Sequence, residues 1–330
     1  MFGFVKNAFT PRRDHADCSG CSLCLLVCPV WRKTRDISLT PHGRAKAMQQ
    51  GDVVDVASVE SCTLCMACSP VCPEEIDQVE MILNLRRQQR PSSAQYGPQT
   101  ARPIATRPFS ATMLPDAALR SHPDTLALAA SLLGSSGKIS VSNDDGSDIS
   151  LALEAGSDIP AQRLEQFLAP LRLQKKIIVA DGLLLHHIKQ WLPQASIVSL
   201  GEALSSHTDV RNSLRATDLY VIETRAYHSD YQRLVKYYDR LRAAHGCAFN
   251  LDLQRIAIPA TARSLPQRLG LMAHDDDEHA RWVLHGRNIT RIVVESLEDS
   301  IAIEKVSDIP VVHLAELADD SVHDLARRLG

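Results

Sequence analysis

Nine cysteines are spread very unevenly along this chain, because eight of them lie in two short runs of identical spacing. Each run follows the pattern Cys-x2-Cys-x2-Cys-x3-Cys-Pro. Three thiolates at this spacing wrap one face of an iron-sulfur cubane, and the proline turns the fourth outward. The two runs therefore predict two 4Fe-4S clusters, and the predicted ligands are Cys18, Cys21, Cys24, Cys28, Cys62, Cys65, Cys68 and Cys72.

The fourth cysteine of each run is expected to ligate the cluster of the other run, as in two-cluster ferredoxins. On that logic Cys72 joins the first three cysteines of the first run, and Cys28 joins the first three of the second run. The main alternative is structural zinc, which needs only two Cys-x2-Cys pairs and four thiolates. Each run here has a third and a fourth cysteine that zinc would not use, so the spacing favours iron-sulfur chemistry.

The rest of the composition describes an ordinary globular protein. A length of 330 residues suits about two or three domains. The net charge of −3 gives no sign of a nucleic-acid partner or an anionic membrane. The sequence contains no run of about eighteen apolar residues, so no transmembrane segment is predicted. The first residues lack the pattern of a secretory signal. We therefore expect a cytoplasmic protein with reduced thiolates.

Three zones differ in composition: a cysteine-dense segment 1–90, a connector 91–123 and an Ala/Leu/Val-rich segment 124–330. The connector holds six of the seventeen prolines and is predicted to be extended. In the first zone, helices are predicted at Gly43–Gln50 and Glu74–Arg90, so the cluster domain should be α-helical. A helix is also expected to start at each Cys-Pro pair, where free backbone N–H groups favour anionic sulfur.

The third zone alternates short β-rich runs with helical patterns, which predicts a largely parallel sheet. A helix is predicted at residues 228–244, where Tyr231, Leu234, Tyr238 and Leu241 form one apolar stripe for core packing. The sequence thus predicts an α+β multidomain protein: an α-helical two-cluster ferredoxin domain followed by an α/β domain of two similar halves, divided near residues 201–217. The predicted strands are Lys138–Val141, Lys176–Ala180, Ser196–Ser199, Leu219–Glu223, Arg291–Val294 and Pro310–His313.

Residues 14–90 resemble the helical ferredoxin domain of the heterodisulfide reductase C-subunit, the anaerobic glycerol-3-phosphate dehydrogenase C-subunit and the glycolate or lactate oxidase iron-sulfur subunits. The resemblance lies in Cys28-Pro29-Val30, in Ser38-Leu39-Thr40-Pro41-His42-Gly43-Arg44, and in Cys72-Pro73 with the helix that follows. It implies an electron-transfer subunit that works with a flavoprotein dehydrogenase or an electron-transfer flavoprotein. It also implies a quinone-linked acceptor.

The third zone resembles, more faintly, the cysteine-rich domain that follows in those proteins. That domain is built as two α/β repeats with Cys-Cys-Gly motifs that bind a non-cubane cluster. Asp145-Gly146, Asp181-Gly182 and Glu295-Ser296 stand roughly where its ligands would lie, and Cys247 alone cannot hold a cluster. The resemblance implies a degenerate copy that has lost its cluster ligands.

Two functions from different classes follow. The first is an iron-sulfur electron-transfer subunit of a hetero-oligomer, cytoplasmic or peripheral to the inner membrane through its partners. The second is an oxidoreductase with its own catalytic site in the C-terminal domain, using residues such as Tyr227, His228 or Asp181. No dinucleotide fingerprint, P-loop or nucleophile elbow is present, which favours the first. A redox sensor is disfavoured because there is no DNA-binding signature.

Two further groups of residues could suggest a second metal site. His186-His187 should point in different directions from one helix, and the acidic run 275–278 beside His274 and His279 is typical of a solvated helix N-terminus. Cys247 is expected to be a small hydrophobe and not a reactive thiol.

Overall fold

The computed structural model describes residues 13–89, 111–134 and 139–318. The described helices are α1 (Leu23–Leu26), α2 (Pro29–Thr34), α3 (Pro41–Gln49), α4 (Val56–Ser61), α5 (Gln78–Gln89), α6 (Ala117–Arg120), α7 (Pro123–Gly134), α8 (Ser147–Ala155), α9 (Ala161–Leu171), α10 (Gly182–Trp191), α11 (Leu200–Ser205), α12 (Thr208–Asn212), α13 (Thr224–Ser229), α14 (Tyr231–His245), α15 (Leu265–Arg268), α16 (Asp277–Leu284) and α17 (Leu297–Glu304). The strands are β1 (Ala111–Leu114), β2 (Ile139–Val141), β3 (Lys176–Val179), β4 (Ser196–Ser199), β5 (Asp218–Val221), β6 (Ala248–Phe249), β7 (Arg291–Val294) and β8 (Val311–His313).

The cysteine runs lie in an all-helical region, and an α/β region with two four-stranded sheets follows it. The strand orders are β2-β1-β3-β4 and β6-β5-β7-β8, and every pair is parallel. The second sheet thus repeats the topology of the first, and α11 and α12 connect them. The predicted fold class is confirmed, including the two similar halves.

The sheets begin earlier than the sequence predicted. Strand β1 lies within 91–123, the segment predicted as a connector, and it pairs with both β2 and β3. Its residues 112–114 are buried, and Pro115 follows directly, so this proline ends a strand. Residues 91–110 of the predicted connector lie outside the described residues.

The predicted helix 228–244 is in fact two helices that meet at Asp230. The backbone of Asp230 leaves the helical region (φ −137°, ψ 40°). Its carboxylate accepts hydrogen bonds from Lys189 Nζ at 2.5 Å and Arg233 Nε at 2.6 Å, which hold the break. The apolar stripe on α14 packs in the core as predicted, because Leu234 and Tyr238 are buried.

One hydrophobic core joins the helical region to the first sheet. It combines Met66, Ile82 and Leu83 with Ile149 and Phe167 of the α/β region. Helices α5 and α8 approach closely at Gly156, where an added Cβ would lie 2.6 Å from the Cβ of Arg86. The helical region is therefore packed into the α/β region. Among the described residues, no helix combines the length and the apolar character needed to cross a membrane.

Candidate functional site

The first cysteine run forms an open loop at the edge of helix α3. The carbonyl oxygen of Cys18 accepts hydrogen bonds from Lys46 Nζ at 3.1 Å and Gln49 Nε2 at 2.9 Å. Cys28 is the N-cap of α2 and Pro29 is its first residue, as predicted, since proline lacks the N–H that a helix start leaves unpaired. Helix α3 and the start of α2 therefore fix the two ends of this loop.

The second run is held from the α/β region as well as from its own helices. Three backbone carbonyls of the loop each receive a side-chain contact. Arg86 Nη2 donates to Cys62 O at 2.6 Å, and Arg225 Nη2 donates to Thr63 O at 3.1 Å. His228 Nδ1 lies 2.8 Å from Cys65 O. Residues far apart in sequence thus fix the loop.

The prediction of a helix at Cys72-Pro73 is wrong. Helix α5 begins only at Gln78, and Glu75 between them has a left-handed backbone (φ 52°), which is incompatible with a right-handed helix. Asp77 Oδ1 accepts a hydrogen bond from Glu80 N at 3.0 Å, so the helix start is capped by Asp77.

The two loops share one backbone feature. In each loop, the residues on either side of the second cysteine are left-handed: Gly20 and Ser22 in the first, Leu64 and Met66 in the second. A left-handed conformation costs about 1–2 kcal/mol for a residue other than glycine. Its recurrence at equivalent positions indicates that the local geometry follows from the cysteine spacing and not from the residue types.

The thiols fall into two groups of electrostatic neighbours. Burial raises the pKa of Cys24 to about 11, with further contributions from Cys18, Cys72 and Cys21. These are the four thiols that crossed ligation assigns to the first cluster.

Burial likewise raises the pKa of Cys65 to about 12, and the neighbouring thiols Cys28 and Cys62 raise it further. The pKa of Cys68 is raised by burial, then by Cys65, Cys62, Cys24 and Cys28. These neighbours form the second group, which meets the first group at Cys24. The ligand assignment itself stays a prediction.

A cavity at the second group fits an anionic cluster. Cys28, Cys62, Cys65 and Cys68 all line it, together with the buried guanidinium of Arg44. Nη1 of Arg44 donates to Leu39 O at 2.9 Å and Ser58 O at 2.8 Å, whereas its Nε has no hydrogen-bond partner among the described residues.

A buried donor without a partner is costly unless something accepts from it. A reduced, negatively charged cluster would be such an acceptor. Within the described ranges, no three side chains of histidine, cysteine, aspartate or glutamate converge closely enough to hold a single metal ion. The ligands of a 4Fe-4S cubane each bind a different iron, so they do not need to converge in that way.

Two of the three residues predicted for a separate catalytic site form hydrogen bonds with backbone groups. The hydroxyl of the fully buried Tyr227 donates to Arg255 O at 2.8 Å. His228 contacts Cys65 O through Nδ1, and its Nε2 accepts from Ala257 N at 3.2 Å. Burial lowers the pKa of His228 to about 4.

Asp181 caps α10 by accepting from Leu184 N at 2.8 Å, and it also accepts from Ser150 Oγ at 2.7 Å. The two other acidic residues that the resemblance compared with ligand positions, Asp145 and Glu295, have different surroundings. Asp145 pairs with Arg120. Glu295 is buried, and burial raises its pKa to about 7.

The two neighbouring histidines point in different directions, as the sequence predicted. The ring of His187 stacks on Trp191 at 5.5 Å, whereas His186 contacts Gln190 at 2.8 Å, so the two histidines face different neighbours. Asp277 and Glu278 lie in the first turn of α16.

Asp275 is exposed and pairs with Lys33. Asp276 is 1% exposed and pairs with the buried Arg263 at 2.9 Å, so the prediction of a solvated acidic run is wrong at this residue. Cys247 is 2% exposed, and burial raises its pKa to about 11, which suits a small hydrophobe.

Sequence reasoning missed the arginines that support the second loop. Arg86 follows Ile82 by four residues on the buried face of α5, and this spacing could have marked it as buried. Arg225 forms a two-pronged pair with Glu154 at 2.9 Å for each bond. That pair joins residues 71 positions apart, and no local pattern reveals it.

Residues 14–76 match the family of 4Fe-4S dicluster domains. The match contains both cysteine runs and none of the α/β region, so this segment is an iron-sulfur domain of ferredoxin type. No match was found among curated proteins or among solved structures.

Proposed function

We propose that this chain is the iron-sulfur electron-transfer subunit of an oxidoreductase complex and carries two 4Fe-4S clusters. The observation that carries the proposal is the match of residues 14–76, which contain both cysteine runs, to 4Fe-4S dicluster domains. The thiol neighbours of Cys24 and Cys65 are compatible with crossed ligation of the two clusters. Such clusters, when bound, take up and release single electrons. The other residues of the chain would position the cysteine thiolates, supply hydrogen-bond donors to the clusters and exclude water from them.

The two groups of thiols differ in exposure to solvent, which supports a proposal for where a partner protein binds. Cys21 is exposed, and near it Leu23 and Leu26 are 41% and 63% exposed. The second group lies beside the α/β region, with Cys28 buried. We propose that a partner protein docks at the first loop and that the second group faces the interior.

The proposed donor is a flavoprotein dehydrogenase or an electron-transfer flavoprotein, and the proposed acceptor is quinone-linked. The chain would then be part of a hetero-oligomer, cytoplasmic or peripheral to the inner membrane through its partners. Support comes from the sequence, which has no nucleotide-binding fingerprint of its own. The resemblance of residues 14–90 to subunits of flavoprotein complexes points the same way.

The number and placement of clusters can be tested by metal analysis of anaerobically purified protein. We expect about eight irons and about eight acid-labile sulfides per chain. Cys24→Ser should lower this to about four and remove only the first-cluster signal from the electron paramagnetic resonance spectrum. Cys247→Ala is the matched control, since this cysteine lies outside both runs, and it should retain all the iron. About four irons in the unaltered chain, or zinc instead of iron, would refute the proposal.

The relay role can be tested separately from the cluster content. The isolated chain with an artificial dye should not turn over a hydroxy acid or a disulfide, whereas addition of a flavoprotein dehydrogenase should allow its clusters to be reduced by that enzyme's substrate. Turnover by the chain alone would favour the second function, an oxidoreductase with its own site. The engagement of Tyr227 and His228 in backbone hydrogen bonds makes us expect the first result.

A further inference from the structure

Two buried polar atoms without a partner belong to side chains that line the cavity at the second group of thiols. Arg44 and Gln78 both line this cavity and are 3% and 7% exposed. Among the described residues, neither Nε of Arg44 nor Oε1 of Gln78 has a hydrogen-bond partner. Buried polar groups are almost always hydrogen-bonded, so both side chains point to a partner that the chain itself does not supply.

The amide of Gln78 can act as a donor in this cavity, as the guanidinium of Arg44 does. A glutamine amide keeps nearly the same shape when its last bond turns by half a rotation, and this turn exchanges Oε1 for the NH2 group. The NH2 group then lies at the wall of the cavity. Two N–H donors from different helices, α3 and α5, are thus available to one anionic group.

The second group of thiols also lies among buried positive charges. Arg44, Arg86 and Arg225 are 3%, 1% and 7% exposed. Burial lowers the pKa of Arg86, and the charges of Arg225 and Arg44 act on it in the same direction. Glu154 pairs with Arg225, whereas Arg44 and Arg86 donate to backbone carbonyls and to no carboxylate in the described part of the chain. Positive charge therefore exceeds negative charge at this site.

The surroundings of the first loop are different. Lys46, which donates to Cys18 O, is only half-buried, and Cys21 and Leu26 are exposed. Water screens exposed charges much more than buried ones. Reduction adds one negative charge to an iron-sulfur cluster, and nearby positive charge and hydrogen bonds to sulfur favour that state. These surroundings therefore favour reduction of the second cluster over reduction of the first.

The second group also adjoins a polar cavity of about 300 Å³ between the two sheets. Thr63 and Cys65 line both this polar cavity and the one at the second group. Asp116 and Asp299, from the two halves of the α/β region, line the polar cavity as well. An electron held on the second cluster would therefore lie beside the polar cavity and not at the exposed first loop.

We propose that the second cluster has the higher reduction potential and that Arg44 and Gln78 raise it by donating hydrogen bonds to its sulfur. Electrons that enter at the first loop then come to rest on the second cluster. This inference rests on the proposed electron-transfer function and adds the order of the two potentials and the residues that set it.

The order of the potentials is tested by a redox titration of the full chain, followed by paramagnetic resonance, after its iron has been measured. The cluster that is reduced first should be the one that Cys24→Ser retains. Its affinity for the electron should be at least about tenfold higher, which is about 59 mV for one electron. If the other cluster is reduced first, or both are reduced together, this inference fails and the electron-transfer proposal stands. A chain without about eight irons would instead refute the proposed function.

Arg44→Gln tests the charged donor. The electron affinity of the second cluster should fall by about tenfold or more, a drop of about 59 mV, while the first potential stays unchanged. Arg163→Gln is the matched control, because Arg163 is equally buried but pairs with Asp144 and Asp148 away from both loops. Both potentials should be unchanged in the control. Equal shifts of the second potential in the two variants would overturn the inference.

Gln78→Leu tests the neutral donor, because it keeps the size of the side chain and leaves the net charge unchanged. The electron affinity of the second cluster should fall severalfold. After exchange into D2O, pulsed paramagnetic resonance should also show a weaker deuterium coupling at the reduced second cluster. Gln89→Leu, at the other end of α5 and outside the cavity, should change neither quantity.

The two variants together decide the role of the donors. An unchanged second potential in Gln78→Leu alone would remove Gln78 from the proposal. An unchanged second potential in both Gln78→Leu and Arg44→Gln would overturn it. If Arg44→Gln does not fold or loses the cluster, an unchanged potential in Gln78→Leu is sufficient to overturn it.

Discussion

The two cysteine loops have the same spacing and the same left-handed backbone positions, yet they lie in different surroundings. The first loop is near the surface, where Leu26 is 63% exposed. In the second loop, Leu64 and Met66 are 3% and 2% exposed, and the carbonyl of Thr63 accepts from the buried Arg225.

The difference separates what the motif determines from what the rest of the chain determines. The spacing fixes the local backbone, because Gly20 and Leu64 adopt the same left-handed conformation despite their chemistry. Access to partners and nearby positive charge come from the surroundings. Since charge and solvent exposure set cluster potentials, the proposed clusters should differ in potential although their ligand patterns are identical.

The largest effect should come from Arg225→Gln, which leaves Glu154 buried without its main cation. Breaking a buried ion pair costs about 3–5 kcal/mol, so the free energy of unfolding should fall by about that amount. Loss of the positive charge should also lower the reduction potential of the second cluster. Urea unfolding and a redox titration followed by paramagnetic resonance measure the two effects.

Arg163→Gln is the matched control for that experiment. Arg163 is as buried as Arg225 and pairs with Asp144 and Asp148, but it makes no hydrogen bond to either cysteine loop. It should cost comparable stability and leave both potentials unchanged. If both variants shift the second potential equally, the support that Arg225 gives to the second loop is not specific.

The next effect concerns pH and the stability of the α/β region. Glu295 accepts from Tyr220 and Tyr238 hydroxyls at 2.7 and 2.6 Å, and burial raises its pKa from 4.5 to about 7. The folded state therefore holds a proton that the unfolded state releases. Its contribution to stability is present below about pH 4.5 and is lost at about 1.4 kcal/mol per pH unit as pH rises to 7.

Glu295→Gln should remove that slope. The difference in the free energy of unfolding between the variant and the unaltered chain should therefore grow in favour of the variant from pH 5 to pH 7 and stay constant above pH 7. Urea unfolding at several pH values measures it, and the exposed Glu304→Gln should retain the original slope. If the second loop depends on the α/β region, the second cluster should persist to a higher urea concentration in Glu295→Gln than in the unaltered chain at pH 7. The first cluster should be lost at the same urea concentration in both proteins. Parallel slopes in the two proteins would contradict the pKa of Glu295.

The same substitution at equivalent positions should give opposite signs. Met66→Gly relieves a left-handed residue by about 1–2 kcal/mol but removes a buried side chain worth about 2–5 kcal/mol. It should destabilise the protein by about 1–3 kcal/mol. Ser22→Gly gains the same relief and loses only two long contacts, at 3.4 Å to Gly20 O and 3.3 Å to His42 Nδ1. It should be neutral or stabilise by up to about 1 kcal/mol. Equal losses in thermal unfolding would show that the two loops are not as different as described.

The smallest effect on stability is expected from Leu26→Ser on the exposed first loop, within about 0.5 kcal/mol. If a partner docks there, electron transfer from the flavoprotein should slow several-fold in stopped-flow measurements. Leu253→Ser, at a fully exposed position of the α/β region, should leave the rate unchanged. An equal rate in both variants would move the proposed docking surface away from the first loop.

Local patterns were sufficient to predict much of this molecule. Ser196–Ser199 and Arg291–Val294 are strands with the predicted bounds, because β-branched residues between polar ones leave few alternatives. The helical nature of the cluster region was also predictable, from the periodicity of residues 43–50 and 74–90. The cysteine spacing identified the iron-sulfur segment, which the family match of residues 14–76 confirms, whereas the assignment of ligands to clusters stays a prediction.

Features that depend on distant residues could not be predicted. Strand β1 was missed because the six prolines of residues 91–123 led to the prediction of a connector. Four residues between two of these prolines form a strand by pairing with β2 and β3, which are distant in sequence. The polar cavity between the two sheets was missed for the same reason, since Asp116 and Asp299 are brought together by the packing of two sheets. The spacing of residues in the sequence indicates neither strand β1 nor the cavity.

The continuous core between the helical region and the first sheet has a consequence for how the chain can be divided. Removal of everything after residue 90 would expose Ile82 and Leu83 to water and leave Arg86 without its acceptor at Glu154. The cysteine-bearing segment is therefore not an interchangeable cassette. Exchange with the corresponding segment of another protein would succeed only if the recipient had a complementary face, with a glycine like Gly156 where the two helices touch.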